Sequence, residues 1–188
     1  MSGANVVRFL LACGKIKRTV RTGWTRYGVN EPESVSDHMY RMALLSILLP
    51  STEAFKPEKV MKMAIIHDLA ECIVGDITPF CGVSKQEKHR REEEAITFIC
   101  SSLPEDIGPE LVSLWKEYDE QKTPESLVCK DLDKFEMILQ AYEYELEANR
   151  PGWLEEFFKS TEGLFTYPCV REWVDALRKE RSEFTTKK

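Results

Sequence analysis

The chain has few histidines, no C-x-x-C pair, no glycine-rich nucleotide loop and no alternating β-type run longer than four or five residues. Each shortage excludes something. With 3 histidines in 188 residues, a site that needs imidazole must draw on His38, His67 or His89. The cysteines (Cys13, Cys72, Cys81, Cys100, Cys129, Cys169) are scattered, which argues against a thiolate zinc site and for free thiols in a reducing compartment, most of them buried. The longest apolar stretch, Met42 to Leu49, is interrupted by Ser46 and is far too short to span a bilayer, so no membrane partner is expected. Basic residues are outnumbered, 26 Lys and Arg against 32 Asp and Glu. The net charge of −6 argues against a nucleic-acid polymer as partner.

What remains is helical punctuation. Apolar residues make up 43% of the chain and charged ones 31%, the balance of a globular domain. We expect a single compact all-α domain over residues 1–184 and a frayed tail at 185–188. Gly14 ends an apolar segment that starts at Asn5. Ser34 or Ser36 caps a helix that Pro50 stops near Leu49. Pro57 opens a helix expected to run unbroken to Ile73, and Gly75 ends it. Residues 14–33 and 76–79 read as loop. Ser84 to Glu87 has capping-box spacing for a helix to Ser101. Further helices are expected from Ile107 or Pro109 to Lys122, from Thr123-Pro124 to Ala148, near Trp153 to Ser160, and from Pro168 to Phe184.

The first thirty residues contain no acid but carry Arg8, Lys15, Lys17, Arg18, Arg21 and Arg26. Read alone, that resembles a mitochondrial leader. Because Arg18 to Arg26 adjoins the chemistry described next, the expectation is a cytoplasmic protein, with mitochondrial targeting as the alternative.

His67-Asp68-Leu69-Ala70-Glu71 carries an imidazole and two carboxylates inside an apolar helix. At about 100° per residue, Glu71 falls between His67 and Asp68 on one arc. Ligand-type side chains on a core-facing arc are costly unless hydrogen bonds or a cation satisfy them. A buried His–carboxylate hydrogen bond would do so as well, and the metal reading needs further ligands from other helices. His38, in an apolar helix, and Asp133, within the long one, are the candidates. His89 lies among Lys88, Arg90, Arg91 and glutamates and reads as a solvated face. Met39, Met42, Met61 and Met63 read as core filler. Trp115, Trp153, Trp173, Tyr142, Tyr144 and Phe157 read as core or dimer contacts.

In the order His … His-Asp … Asp, with Glu33 to His38, His67 to Glu71, Val74 to Pro79, Glu87 to Ala95 and Glu136 to Ala141, the chain resembles the HD-domain phosphohydrolases. Within them it is most similar to the 5′-deoxynucleotidase branch and its small eukaryotic members. The resemblance spans Val6 to Arg181. It implies a metal held by His38, His67, Asp68 and Asp133. Glu71, Asp76 and the Ile77 carbonyl match positions assigned to a second metal or to proton handling. The stretch from Asp76 through Ile77 and Thr78 to Pro79 matches the one that holds substrate. Trp24, fourteen residues before His38, matches a tryptophan that crowds the sugar C2′ position. One departure stands out: related enzymes place a phosphate-orienting arginine just before that tryptophan, where this chain has Gly23. Arg18, Arg21 or Arg26 could supply the guanidinium from a neighbouring turn, and spacing does not choose among them.

The resemblance implies hydrolysis of deoxyribonucleoside 5′-monophosphates with Mn²⁺, Co²⁺ or Mg²⁺, in a homodimer. Glu71 suits proton exchange with water or the leaving oxygen. The basic stretch Lys15 to Arg26 would attract an anion despite the negative total. The alternatives are hydrolysis of another phosphoester and a non-catalytic scaffold that binds metal or nucleotide.

Overall fold

Ser34 begins the helix that carries His38. Its Oγ accepts the Asp37 N–H at 3.3 Å while Asp37 Oδ2 accepts the Ser34 N–H at 2.9 Å, a reciprocal cap that satisfies two donors a helix start would leave orphaned. Thr123 and Pro124 open the longest helix in the same way, with Thr123 Oγ1 accepting the Ser126 N–H. Pro57 occupies the first turn of the helix that leads to His67.

The computed structural model describes residues 2–51 and 54–186. The helices are α1 (Gly3–Cys13), α2 (Thr22–Arg26), α3 (Val35–Ile47), α4 (Pro57–Ile66), α5 (Glu71–Val74), α6 (Lys85–Cys100), α7 (Gly108–Glu120), α8 (Pro124–Glu147), α9 (Glu155–Ser160) and α10 (Pro168–Thr186), with 3-10 turns at Gly14–Arg18 and Pro79–Cys81. No strand occurs among the described residues; a lone antiparallel bridge joins Val20 to Ser34. The all-α expectation is met. Of the expected tail, Thr185 and Thr186 continue α10, and Lys187 and Lys188 lie outside the described residues.

Two apolar cores meet at the site. One, around Met42, Met63, Ala64, Cys129, Leu132 and Ile138, locks α3, α4 and α8 together. The other, around Val35, Met39, Ile66, Leu69, Ala70, Ile96 and Trp115, joins the start of α3 to α6 and α7. Burying each Val, Leu, Ile or Met side chain among them contributes about 1.5–3 kcal/mol. His38 lies between Val35 and Met42, and His67 between Ala64 and Leu69. Both imidazoles therefore sit on the seam where one core gives way to the other.

Three expectations fail locally. The helix expected to run to Ile73 stops at Ile66, and α5 begins only at Glu71. Between them the N–H groups of Leu69, Glu71 and Cys72 reach back three residues, at 3.0, 3.0 and 3.2 Å. In this tighter winding, side chains three apart eclipse. Asp68 and Glu71 thus share a side, rather than Glu71 falling between His67 and Asp68. Residues 22–26, read as loop, form α2: its first N–H is received by Asp76 Oδ2 at 2.6 Å, and Thr22 Oγ1 donates to the Asp76 carbonyl at 2.9 Å. Gly75, at φ +75°, makes the turn that brings Asp76 there. At α6, Ser84 caps the Glu87 N–H, but the Glu87 carboxylate pairs with Arg90 and Arg91 instead of closing a capping box.

The six cysteines are free, with Cys72, Cys100 and Cys129 buried, Cys13 and Cys169 half-buried and Cys81 exposed. No described helix is long and apolar enough to cross a membrane.

Candidate active site

His38 is fully buried, and its Nδ1–H donates to the Glu136 carboxylate. Glu136 in turn receives Arg41 Nε at 2.8 Å. These four residues form a ladder, because His38 and Arg41 are one turn apart on α3 and Asp133 and Glu136 one turn apart on α8. The ladder turns His38 Nε2 toward Asp133 Oδ1, 3.3 Å away, and toward Asp68 Oδ2 at 4.0 Å. His67 Nδ1 donates to the Ala64 carbonyl at 2.9 Å, which leaves Nε2 as the lone-pair nitrogen. It points to Asp68 Oδ2 at 3.1 Å. The two imidazole rings are 5.5 Å apart.

This is the arrangement a cation would complete. His38 Nε2, His67 Nε2 and Glu71 Oε2 are buried with no directed hydrogen-bond partner, a costly state for polar atoms. Ligand atoms of His38, His67 and Asp133 lie within 4.8 Å of one another, and imidazole with carboxylate is a normal donor set for a divalent metal. The residues fit the ion. Glu33, His38 and Glu136 also cluster, but His38 and Arg41 engage Glu136, and the Trp24 indole N–H and Arg21 engage Glu33.

Electrostatics separate the carboxylates. Burial alone would raise Asp68 and Asp133. The His67 and His38 imidazoles nevertheless hold Asp68 well below its usual range, and Lys130 and His38 do the same for Asp133. Burial pushes Glu71 well up, and the nearby charges of Asp68 and Asp76 push it further. Burial and Arg21 lower His38, but Glu136 and Asp133 outweigh them and raise it to about 9. A cation at Nε2 would take the place of that proton.

The expected substrate residues divide between two hollows. The ionic one, about 230 Å³, is lined by Arg21, His67, Asp68, Glu71, Asp76 and Asp133, among others. The other, about 350 Å³, is lined by Gly23, Trp24, Tyr27, Phe80, Met137 and Phe157, and by Thr78 and Pro79. Arg21 and Asp76 line both. Arg21 NH1 stands 3.6 Å from Asp68 Oδ2. Of the three arginines considered, it is the one that reaches the ionic hollow. Arg26 stacks on Phe80, 3.6 Å from the ring centroid, and Arg18 is exposed on the 3-10 turn, lining neither hollow. Ile77 is buried, and its carbonyl receives the Lys88 ammonium at 2.9 Å.

Trp24 is buried at 1% exposure, with its ring centroid 4.4 Å from that of Phe157. Phe157, read as core or dimer contact, therefore helps wall the aromatic hollow. Sequence reasoning also missed Glu136, Arg41, Tyr118, Lys130 and Lys88. For the first two a signal existed, since each follows a ligand-type residue by three positions on an apolar helix. Tyr118 donates to Asp133 Oδ2 at 2.7 Å, and Lys130 pairs with the same oxygen at 2.7 Å; nothing in the local sequence marks Tyr118. His89 behaves as expected, half-exposed and 2.9 Å from Asp119.

The family model for the HD domain matches residues 13–168. The chain is 48% identical to the 5′-deoxynucleotidase HDDC2 of Mus musculus, covering 96% of this chain and 90% of that protein. It is 37% identical to the 5′-deoxynucleotidase YGK1 of Saccharomyces cerevisiae, covering 94% and 83%. A solved structure of a conserved hypothetical protein from Pyrococcus furiosus superimposes with a TM-score of 0.73 at 35% identity, over 92% of this chain and 99% of that one.

Proposed function

The chain belongs to the HD-domain family, and from that premise we infer that it is a 5′-deoxynucleotidase. It hydrolyses deoxyribonucleoside 5′-monophosphates (dAMP, dCMP, dGMP, dTMP) to deoxynucleoside and inorganic phosphate. The observation that carries the reading is the pair of buried, unpartnered Nε2 atoms of His38 and His67 facing Asp68 and Asp133, beside an aromatic hollow sized for a nucleoside.

His38, His67, Asp68 and Asp133 would hold a divalent metal, with Mn²⁺, Co²⁺ or Mg²⁺ all suited to an oxygen-rich N/O set. Bound there, the ion would neutralise charge on the phosphate and make a water more acidic. Arg21, reaching both hollows, orients the phosphate. Glu71 takes a proton from the attacking water and returns it to the 5′-oxygen as the P–O5′ bond breaks, so that a hydroxyl leaves. Asp76 fixes Arg21 and Trp24 by receiving the first N–H of α2. Trp24 and Phe157, with Thr78 and Pro79, bound the nucleoside, and Trp24 crowds C2′.

The enzyme works as a homodimer in the cytoplasm. An exposed apolar row on α3 and its C-cap, Tyr40, Leu44, Ile47 and Leu48, supports the first statement because a two-fold partner brings the same row to meet it. The second is supported by the basic segment, which is folded and carries Arg21 into the site rather than lying free.

The test is a phosphate-release screen of deoxy- and ribonucleoside monophosphates with several divalent ions and a chelator control. Release from dAMP or dCMP that chelation abolishes is expected. Turnover only of cyclic nucleotides or other phosphoesters, or none at all, would overturn the assignment.

A further inference from the structure

Phe157 reaches the aromatic hollow from α9, a helix of 6 residues with no side-chain cap at its start. So short a helix does not hold itself in place. Leu154 and Phe158 sink into the larger apolar core, but apolar burial is non-directional and leaves the rotation of the segment open. Direction comes from Arg181 on α10. Its Nε and NH2 donate to the two oxygens of Glu145 on α8, at 2.8 and 2.9 Å, and its NH1 donates to Glu155 Oε2 at 2.7 Å. Glu145 Oε1 also receives the Leu154 N–H at 2.8 Å. The guanidinium carbon lies 3.7 Å from the centroid of the Phe158 ring. One side chain thus ties α8, α9 and α10 together.

Glu145 is fully buried and Arg181 nearly so. A buried ion pair contributes little net stability over apolar residues of the same size, whereas a guanidinium fork fixes geometry. The helix it fixes presents Glu156 and Phe157 to the aromatic hollow. Phe157 backs Trp24, with ring centroids 4.4 Å apart, and approaches α2 so closely that a Cβ at Gly23 would lie 3.7 Å from its ring. Arg181 itself lines neither hollow. We propose that Arg181 is a positioning residue for sugar selectivity: it holds α9 so that Phe157 backs Trp24, and Trp24 cannot yield to a 2′-hydroxyl. The proposal rests on the deoxynucleotidase reading. A wild type that releases no phosphate from any deoxynucleotide defeats that reading, whereas the ratios below, on an active wild type, decide Arg181 alone.

Arg181→Met removes the fork and keeps an apolar stem. It should lower the ratio of kcat/KM for dAMP to that for AMP by about threefold, through KM, with kcat for dAMP and Mn²⁺ affinity within about twofold of wild type. Arg181→Lys keeps the charge without the fork and should recover part of the ratio. A role confined to stability would lower the melting temperature but leave the ratio unchanged wherever the variants are folded, and that result would overturn the proposal. The double variant Arg181→Met with Phe157→Leu separates a route through Phe157 from any other. Its ratio should fall by about threefold, as in Phe157→Leu alone, because both changes act at one contact; a fall of about ninefold, the product of independent effects, would sink the proposal. Should Arg181→Met fail to fold, Glu155→Gln loosens only the half-exposed arm of the fork. A ratio lowered by about twofold is then expected, and a ratio equal to that of the wild type would overturn the assignment.

Discussion

The two hollows share a wall and differ in almost everything else. In the ionic one, charged groups are held by other charged groups and by backbone carbonyls: His38 by Glu136, Asp133 by Lys130 and Tyr118, Lys88 by Ile77. In the aromatic one, Trp24, Tyr27 and Phe157 rest on one another, with ring centroids 4.4 and 5.1 Å apart for the two pairs that include Phe157. On the proposed function the first is pre-arranged for charge that develops during reaction, which is where electrostatic catalysis gains most. The second offers shape, and shape discriminates less steeply than charge. Chemistry and selectivity should therefore be separable by substitution, except at Arg21 and Asp76, which line both.

Asp68→Ala should strike hardest: it removes a ligand-type oxygen beside both imidazoles, and we expect loss of Mn²⁺ binding together with a fall in activity of about a thousandfold or more. Full activity in that variant, with metal content measured, would erase the distinction between the hollows. Glu71→Ala should keep the metal and lower kcat by about a hundredfold to a thousandfold; titrating Mn²⁺ into the variant separates the two effects. Arg21→Met touches both sides, and an increase in KM of about tenfold is expected for deoxy and ribo substrates alike. Phe157→Leu should alter only the ratio of dAMP to AMP turnover, by about threefold, with Mn²⁺ affinity unchanged. Gly23→Ala should do least. A Cβ there would meet the Phe157 ring at 3.7 Å, an ordinary contact, so catalytic constants should stay within about twofold.

Much of the scaffold was legible because its signals are local. Ser34, Pro57 and Thr123-Pro124 mark helix starts whatever the rest of the chain does, and α3 and α8 begin where these residues require. The pairing of His38 with Asp133 was accessible only through the motif order, since each residue alone reads as ordinary. The break between α4 and α5 was hidden because nothing in Ile66 to Glu71 is a helix breaker. The chain tightens there as it passes from one apolar core to the other, a matter of packing rather than propensity. Helix α2 was hidden for a similar reason: its first N–H is satisfied by Asp76, 54 residues further on. Glu136 and Lys88 look like solvent-facing charges until their partners, His38 and the Ile77 carbonyl, are brought near by the fold.

The double tie between Thr22 and Asp76 has a consequence for how such an enzyme can change. Arg21 and Trp24 flank the tied residue, one lining both hollows and the other walling the aromatic one. With the roles proposed for them, any drift of this segment that makes room for a bulkier ribose must also carry the guanidinium away from its anion. Broader substrate choice and fast turnover are thus mechanically opposed here, and a lineage seeking both would have to loosen that staple first.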